Sequence, residues 1–202
     1  QTTGRLVAET IENNFGTPQF TTEMLMENVS DLDAKEPVET DLKVSNVFAG
    51  TLEAGKKTVF EKRVVVVTSR DYETLEDLDA AGEKLSAKQA ESSFDELKAA
   101  QANGWAKRWE KADVVVEGND ESQQGIRFNL FQLFSTYYGN DARLNIGPKG
   151  FTGEKYGGAT YWDTEGFAVP LYLALADQSV TRNLLEYRHE QLPGAYHNAK
   201  QQ

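Results

Sequence analysis

The stretch from Ile126 to Tyr138 constrains this chain most. Ile126, Leu130, Leu133 and Tyr137 recur at helical spacing, and Phe128, Phe131, Phe134 and Tyr138 fill much of the remaining circumference. Asn129, Gln132 and Thr136 leave only a thin polar stripe. A helix that is apolar on most sides is buried on most sides. This segment therefore demands neighbours all round it, as in the inner ring of a barrel of helices.

What precedes it has a different character. Residues 1 to about 70 read as strands, with turn signals at Phe15-Gly16-Thr17-Pro18 and Glu53-Ala54-Gly55-Lys56. Leu42 to Phe48 reads as one strand and Thr58 to Thr68, rich in β-branched residues, as another. Residues 52–57 look like a hairpin tip entering the second of these. This part resembles the end of a β-sandwich. Near Tyr72 the pattern changes: residues 73–102 are rich in Ala, Glu, Lys, Leu and Gln, all strong helix formers. Their wide polar faces suit exposed linker helices. Trp105 and Trp109 follow at i and i+4, as packing anchors or as a ligand platform. Val114-Val115-Val116 is strand-like. After the apolar helix, Gly139 to Thr160 is a glycine-rich loop. Helical spacing resumes at Phe167, Leu171 and Ala174, and again at Val180, Leu184 and Tyr187. Pro193-Gly194 is expected to end that last helix, with another starting at Ala195.

Composition excludes more than it names. The net charge is -11 with no clustered Lys and Arg, so a nucleic-acid footprint is absent. With no cysteine, disulfides, thiolate metal sites and cysteine nucleophiles are ruled out. The longest apolar run, Val64 to Val67, is far too short for a bilayer. No signal-peptide pattern opens the chain, which starts on Gln1 as a processed chain or an internal piece would. A cytoplasmic enzyme is the plain expectation.

Chemistry concentrates in Tyr161-Trp162-Asp163-Thr164-Glu165, between the glycine-rich loop and a helix. Pyranose sugars are held by an aromatic plane and by carboxylates that accept neighbouring hydroxyls, and Trp162, Asp163 and Glu165 supply those groups. Asp163 also suits a helix N-cap and Glu165 the positive end of the helix dipole. The two readings are compatible. The loop glycines fit neither the Walker spacing nor the dinucleotide fingerprint, so turn-making explains most of them. His189 and His197 lack acidic partners in metal-ligand register, and no metal site is expected. Arg127, at the start of the apolar helix, needs a partner if buried, with Asp163 or a loop carboxylate as candidates.

Four motifs in order then resemble glycoside hydrolase family 65. Gln124 to Leu133 is similar to the family's first barrel helix, and Asn145-Ile146-Gly147-Pro148-Lys149-Gly150-Phe151-Thr152-Gly153-Glu154 to the loop after it. Tyr161 to Glu165 resembles its signature before the second helix. Arg182 to Arg188, with Leu192 to Ala195, resembles the next helix and its end. The wording is most similar to the maltose phosphorylase type. The resemblance implies an α+β multidomain piece. Residues 1–72 would be the end of an N-terminal β-sandwich, 73–112 a helical linker, and 113–202 the first helices of an (α/α)6 barrel. It implies inverting phosphorolysis of maltose or a related disaccharide, with inorganic phosphate as co-substrate, no cofactor and a homodimeric parent. The single catalytic glutamic acid would lie beyond Gln202, so no catalytic residue is expected in this chain and the chain alone should be inactive. Trp162 and Asp163 would line the glucose pocket, with Glu165 and Arg127 nearby. An α-glucoside hydrolase of the same fold and a non-catalytic carbohydrate-binding module are the rival readings.

Overall fold

The computed structural model describes residues 1–12, 18–147 and 160–201. They form two compact units, Gln1–Leu97 and Lys98–Gln202. The expected turn at residues 15–17 and most of the glycine-rich loop lie outside the described residues.

The first unit is strand-rich, as expected. In chain order it holds β1 (Thr2–Glu9), β2 (Thr21–Ser30), β3 (Asp33–Ala34), β4 (Val38–Thr40), β5 (Lys43–Ser45), β6 (Phe48–Ala49) and β7 (Phe60–Thr68). The β-branched run becomes β7, which pairs antiparallel with β2, and β2 pairs antiparallel with β1. Leu42 to Phe48 is not one strand. Lys43–Ser45 pairs with β4, whereas Phe48–Ala49 pairs with β3, so the stretch changes partner between them. The turn at 53–56 is present, with Gly55 at φ +78 and the Lys56 N–H donating to the Glu53 carbonyl at 3.1 Å. It is not a hairpin tip, because β7 has β2 rather than β6 as its neighbour.

Helix α1 (Leu75–Ala90) starts at Thr74, whose hydroxyl accepts from the Asp77 N–H. It is not a freely exposed linker helix. Leu78 is fully buried, and Gly82 lies so close to the sheet that a Cβ there would sit 2.7 Å from Leu25 Cδ1. The Arg63 guanidinium on β7 donates to the Gln89 carbonyl at the far end of α1. Leu75 and Leu85 face outward, as the wide polar faces implied. Beneath α1, the carboxylate of Glu23 on β2 is buried against Arg5 Nε at 2.6 Å. Helix α2 (Phe94–Ala112) opens with a reciprocal box: the Ser93 N–H donates to Glu96 and the Glu96 N–H to the Ser93 hydroxyl.

The second unit is helical. Trp105 and Trp109 of α2 stack at 6.0 Å, and Trp105 tilts onto Phe131 at 4.8 Å. Both are packing anchors at the edge of the core. That core is Ala112, Leu130, Phe134, Tyr137, Ile146, Tyr172 and Leu184. Helix α3 (Asp120–Thr136) is capped by Asn119, whose side chain accepts from the Ser122 N–H at 2.9 Å. Of its apolar circumference, Leu130 and Phe134 are buried, while Phe128 and Phe131 remain 59% and 39% exposed. Only part of the surround that the sequence demands is therefore supplied by these residues. Val114 to Val116 forms no strand. The Gln123 side-chain amide takes both of its outward backbone groups, accepting from Val116 N–H at 2.7 Å and donating to Val114 C=O at 2.8 Å.

Then come a π-helical turn (Thr164–Ala168), α4 (Val169–Leu175), α5 (Gln178–Glu190) and α6 (Leu192–Ala199). Tyr172 of α4 is fully buried, edge-on to Phe134 and Tyr137, and donates its hydroxyl to the Leu133 carbonyl at 2.7 Å. Burial pushes its phenol well above the ordinary range. Pro193 does not end α5. Helix α5 stops at Glu190, and Pro193 sits in the first turn of α6, where its missing N–H costs nothing.

Candidate functional site

The site segment is built from the helix start upward. Thr164 is buried and its hydroxyl donates to the Ile146 carbonyl at 3.1 Å, which ties the segment to the stretch before the glycine-rich loop. Asn145 makes a second tie, donating to the Thr160 hydroxyl and, at 3.4 Å, to the Tyr187 hydroxyl on α5. The Val169 N–H bonds to the carbonyl of Thr164, five residues back, which makes the turn π-helical. Pro170 follows, with no N–H to extend the ordinary ladder and a ring that crowds the carbonyl four residues earlier. Such turns are frequent at functional sites.

Trp162 and Asp163 immediately precede this turn, and Glu165 lies within it. The Trp162 indole lies over Gly166, where a Cβ would be 3.3 Å from its ring, and tilts against Phe167 at 5.8 Å. It stays 69% exposed, so an aromatic face is available. Asp163 is half-buried and makes no side-chain cap hydrogen bond, so the pure capping reading fails at this residue. Glu165 is held by Arg188 on α5. Arg188 Nε donates to Oε1 at 2.7 Å and Nη2 to Oε2 at 2.8 Å. Those bonds hold the Glu165 carboxyl below the usual carboxylate range and raise the Arg188 guanidinium.

Arg127 stands apart from this group. It is exposed rather than buried, and its Nε and Nη2 donate to the two oxygens of Asp113 at 2.8 and 2.6 Å. Asp163 is thus not its partner, and the loop carboxylate that is lies just after α2. The pair lowers the Asp113 carboxyl. Arg127 lines an open groove of about 810 Å³ with Trp109, Gln124, Phe128 and Phe131. Among the described residues no group of three or more His, Asp and Glu could hold a metal ion. Residues 148–154 of the second motif lie outside the described residues.

Sequence reasoning missed Arg188, Asn145, Thr160 and Tyr187 as supports of the site. All four fall inside or beside the motifs that carried the resemblance, but nothing in their spacing signals pairing across 23 residues.

Residues 1–108 match the glycosyl hydrolase family 65 N-terminal domain, and residues 127–202 match that family's central catalytic domain. The chain is 52% identical to maltose phosphorylase of Bacillus subtilis strain 168, over 97% of this chain and 25% of that protein. It is 31% identical to an alpha,alpha-trehalose phosphorylase of Thermoanaerobacter brockii, over 98% of this chain and 25% of that protein. A solved structure assigned as a kojibiose phosphorylase from the human microbiome is similar with a TM-score of 0.79 at 28% identity. That match covers 95% of this chain and 24% of that one. The chain thus spans about a quarter of the length of these relatives. Its strand-rich first part followed by helices is the arrangement of that solved neighbour, and the chain belongs to glycosyl hydrolase family 65.

Proposed function

We propose that this chain is part of an inverting α-glucoside phosphorylase that cleaves maltose or a related disaccharide with inorganic phosphate. The products are β-glucose 1-phosphate and glucose. The observation that carries the reading is the exposed indole of Trp162 beside the half-buried carboxylate of Asp163, set on a tied-down turn, in a chain 52% identical to a maltose phosphorylase. Trp162 stacks on the glucose ring and Asp163 accepts two of its hydroxyls. Glu165 acts through its position rather than by touching sugar, and Arg127 serves the α2–α3 junction.

In the reaction, a phosphate oxygen bonds to the anomeric carbon from the face opposite the breaking glycosidic bond. A glutamic acid in a segment outside these 202 residues gives its proton to the departing oxygen, so that phosphate takes the place of water in an inverting displacement. No cofactor takes part. We assign the parent to the cytoplasm as a homodimer. No helix among the described residues is long and apolar enough to cross a membrane.

The test is product analysis of the full-length protein on maltose, kojibiose and trehalose with and without phosphate. Phosphate-dependent formation of β-glucose 1-phosphate is expected. Equal release of glucose in both conditions would show a hydrolase of the same fold instead. The 202-residue chain alone is expected to show no phosphorolysis, and turnover by it would place the proton donor inside it.

A further inference from the structure

Resting on that reading, we propose that Arg188 is the positioning residue of the glucose pocket, one guanidinium that clamps the chain on both sides of Trp162 and Asp163. Its fork takes both oxygens of Glu165 at 2.7 and 2.8 Å, and the same Nη2 donates to the Tyr161 carbonyl at 2.7 Å. Tyr161 precedes the two sugar-binding residues and Glu165 follows them. The clamp therefore spans the segment that has to be held.

The segment needs such a hold. Asp163 makes no cap bond, and the turn that follows is π-helical, with Pro170 interrupting the ordinary ladder. Backbone bonds fix this stretch less firmly than they would a regular helix start. The Thr164–Ile146 and Asn145–Thr160 bonds tie the stems together. Arg188 ties the segment to α5 by charged bonds, and it does so from the last turn of that helix, where a cation is favoured. A planar fork matches a carboxylate in a way an ammonium does not, so lysine cannot replace it. Arg188 itself touches no sugar. It sets where the Trp162 ring and the Asp163 carboxylate stand.

The experiment compares Arg188→Lys, Glu165→Gln and the double variant in the full-length enzyme. Wild-type phosphorolysis comes first; its absence overturns the proposed function and leaves the clamp to the second measurement below. With an active wild type, each single variant is expected to raise KM for the disaccharide by roughly 10- to 100-fold, the cost of misplacing groups at a site. KM for phosphate should stay within about twofold, since that partner is bound by other residues. The double variant should be no worse than the worse single one, because the two side chains act as one unit. A merely structural Arg188 would reduce the yield of folded enzyme and leave both KM values unchanged, which overturns the proposal. The second measurement is hydrogen exchange in the 202-residue chain. Arg188→Lys should speed exchange at residues 163–168 by about tenfold or more while α3 is unaffected. Unchanged exchange there overturns the clamp.

Discussion

Glu23 in the first unit and Glu165 in the second each face one arginine, yet their carboxyls are driven in opposite directions. Glu23 is fully buried under α1, and loss of water raises its carboxyl above the usual range. Arg5 opposes that shift, while Asp79 and Glu83 on α1 add to it. Glu165 keeps more than a third of its side chain in solvent, and the Arg188 fork lowers its carboxyl. Burial wins at one site and hydrogen bonding at the other. An arginine neighbour therefore does not by itself tell whether a carboxylate is comfortable.

The signs follow by linkage. Glu23 holds its proton to higher pH when folded, so its contribution to the first unit is full at low pH and is lost as pH rises through the folded value. Glu165 contributes above the ordinary carboxylate range, and its share is lost as pH falls through its lowered value. The two units can be read separately, because Trp105, Trp109 and Trp162 are the chain's three tryptophans and all lie in the second unit. Tryptophan fluorescence reads the second unit, and hydrogen exchange on β2 reads the first.

The contrast breaks most sharply at Arg5. Arg5→Ala strands the buried Glu23, and a loss of about 3 kcal/mol at neutral pH is expected from leaving a buried carboxylate without the half-exposed arginine that faces it. Exchange on β2 should show that loss shrinking toward pH 4.5, as Glu23 takes up a proton. A penalty independent of pH would mean that Glu23 is not the group concerned. Gly82→Val should come next. Its side chain would drive into Leu25 and Val67, with an overpacking cost of about 2 kcal/mol. Water admitted beneath α1 should return Glu23 toward its ordinary range, followed by carbonyl NMR titration; a Glu23 value that stays raised sinks the burial explanation. In the second unit, Glu165→Gln is expected to cost about 1 kcal/mol at pH 7, typical of a partly exposed pair. Fluorescence-monitored melts of wild type and variant should converge in acid, and parallel pH curves would contradict the assignment. The smallest effect belongs to Arg127→Ala. Its partner Asp113 is also exposed, so a melting midpoint indistinguishable from wild type is expected in the same melts. A lowered midpoint would make the α2–α3 junction a structural centre.

Periodicity exposed what periodicity governs. The apolar wheel of α3, the β-branched run of β7 and the i, i+4 tryptophans all emerged because a regular spacing repeats over several turns or pairs. Partner choice did not emerge. Nothing local tells that residues 43–45 and 48–49 join different neighbours, or that Arg127 turns back to Asp113 while Arg188 crosses to Glu165. At the candidate site, Trp162, Asp163 and Glu165 stood out in the sequence because sugar-binding residue types fall within four neighbouring positions. The support behind them did not, since it comes from 23 residues further along and from the other side of a glycine-rich loop. Pro193 was misjudged for a related reason. A proline is as much at home in the first turn of a helix as after its end, and only the chain on both sides decides which.

The bond from Gln123 to Val114 and Val116 has a consequence for the chain before it is fully folded. Three consecutive valines, the middle one 70% exposed, offer a ready docking edge to any other extended chain. The glutamine comes from the first turns of a helix only seven residues downstream of Val116, so it can occupy that edge as soon as local structure forms and without waiting for a distant strand. The Val116 N–H and the Val114 carbonyl, which another strand would need for pairing, are thus taken by a single neutral side chain, where other proteins use a charge or a proline.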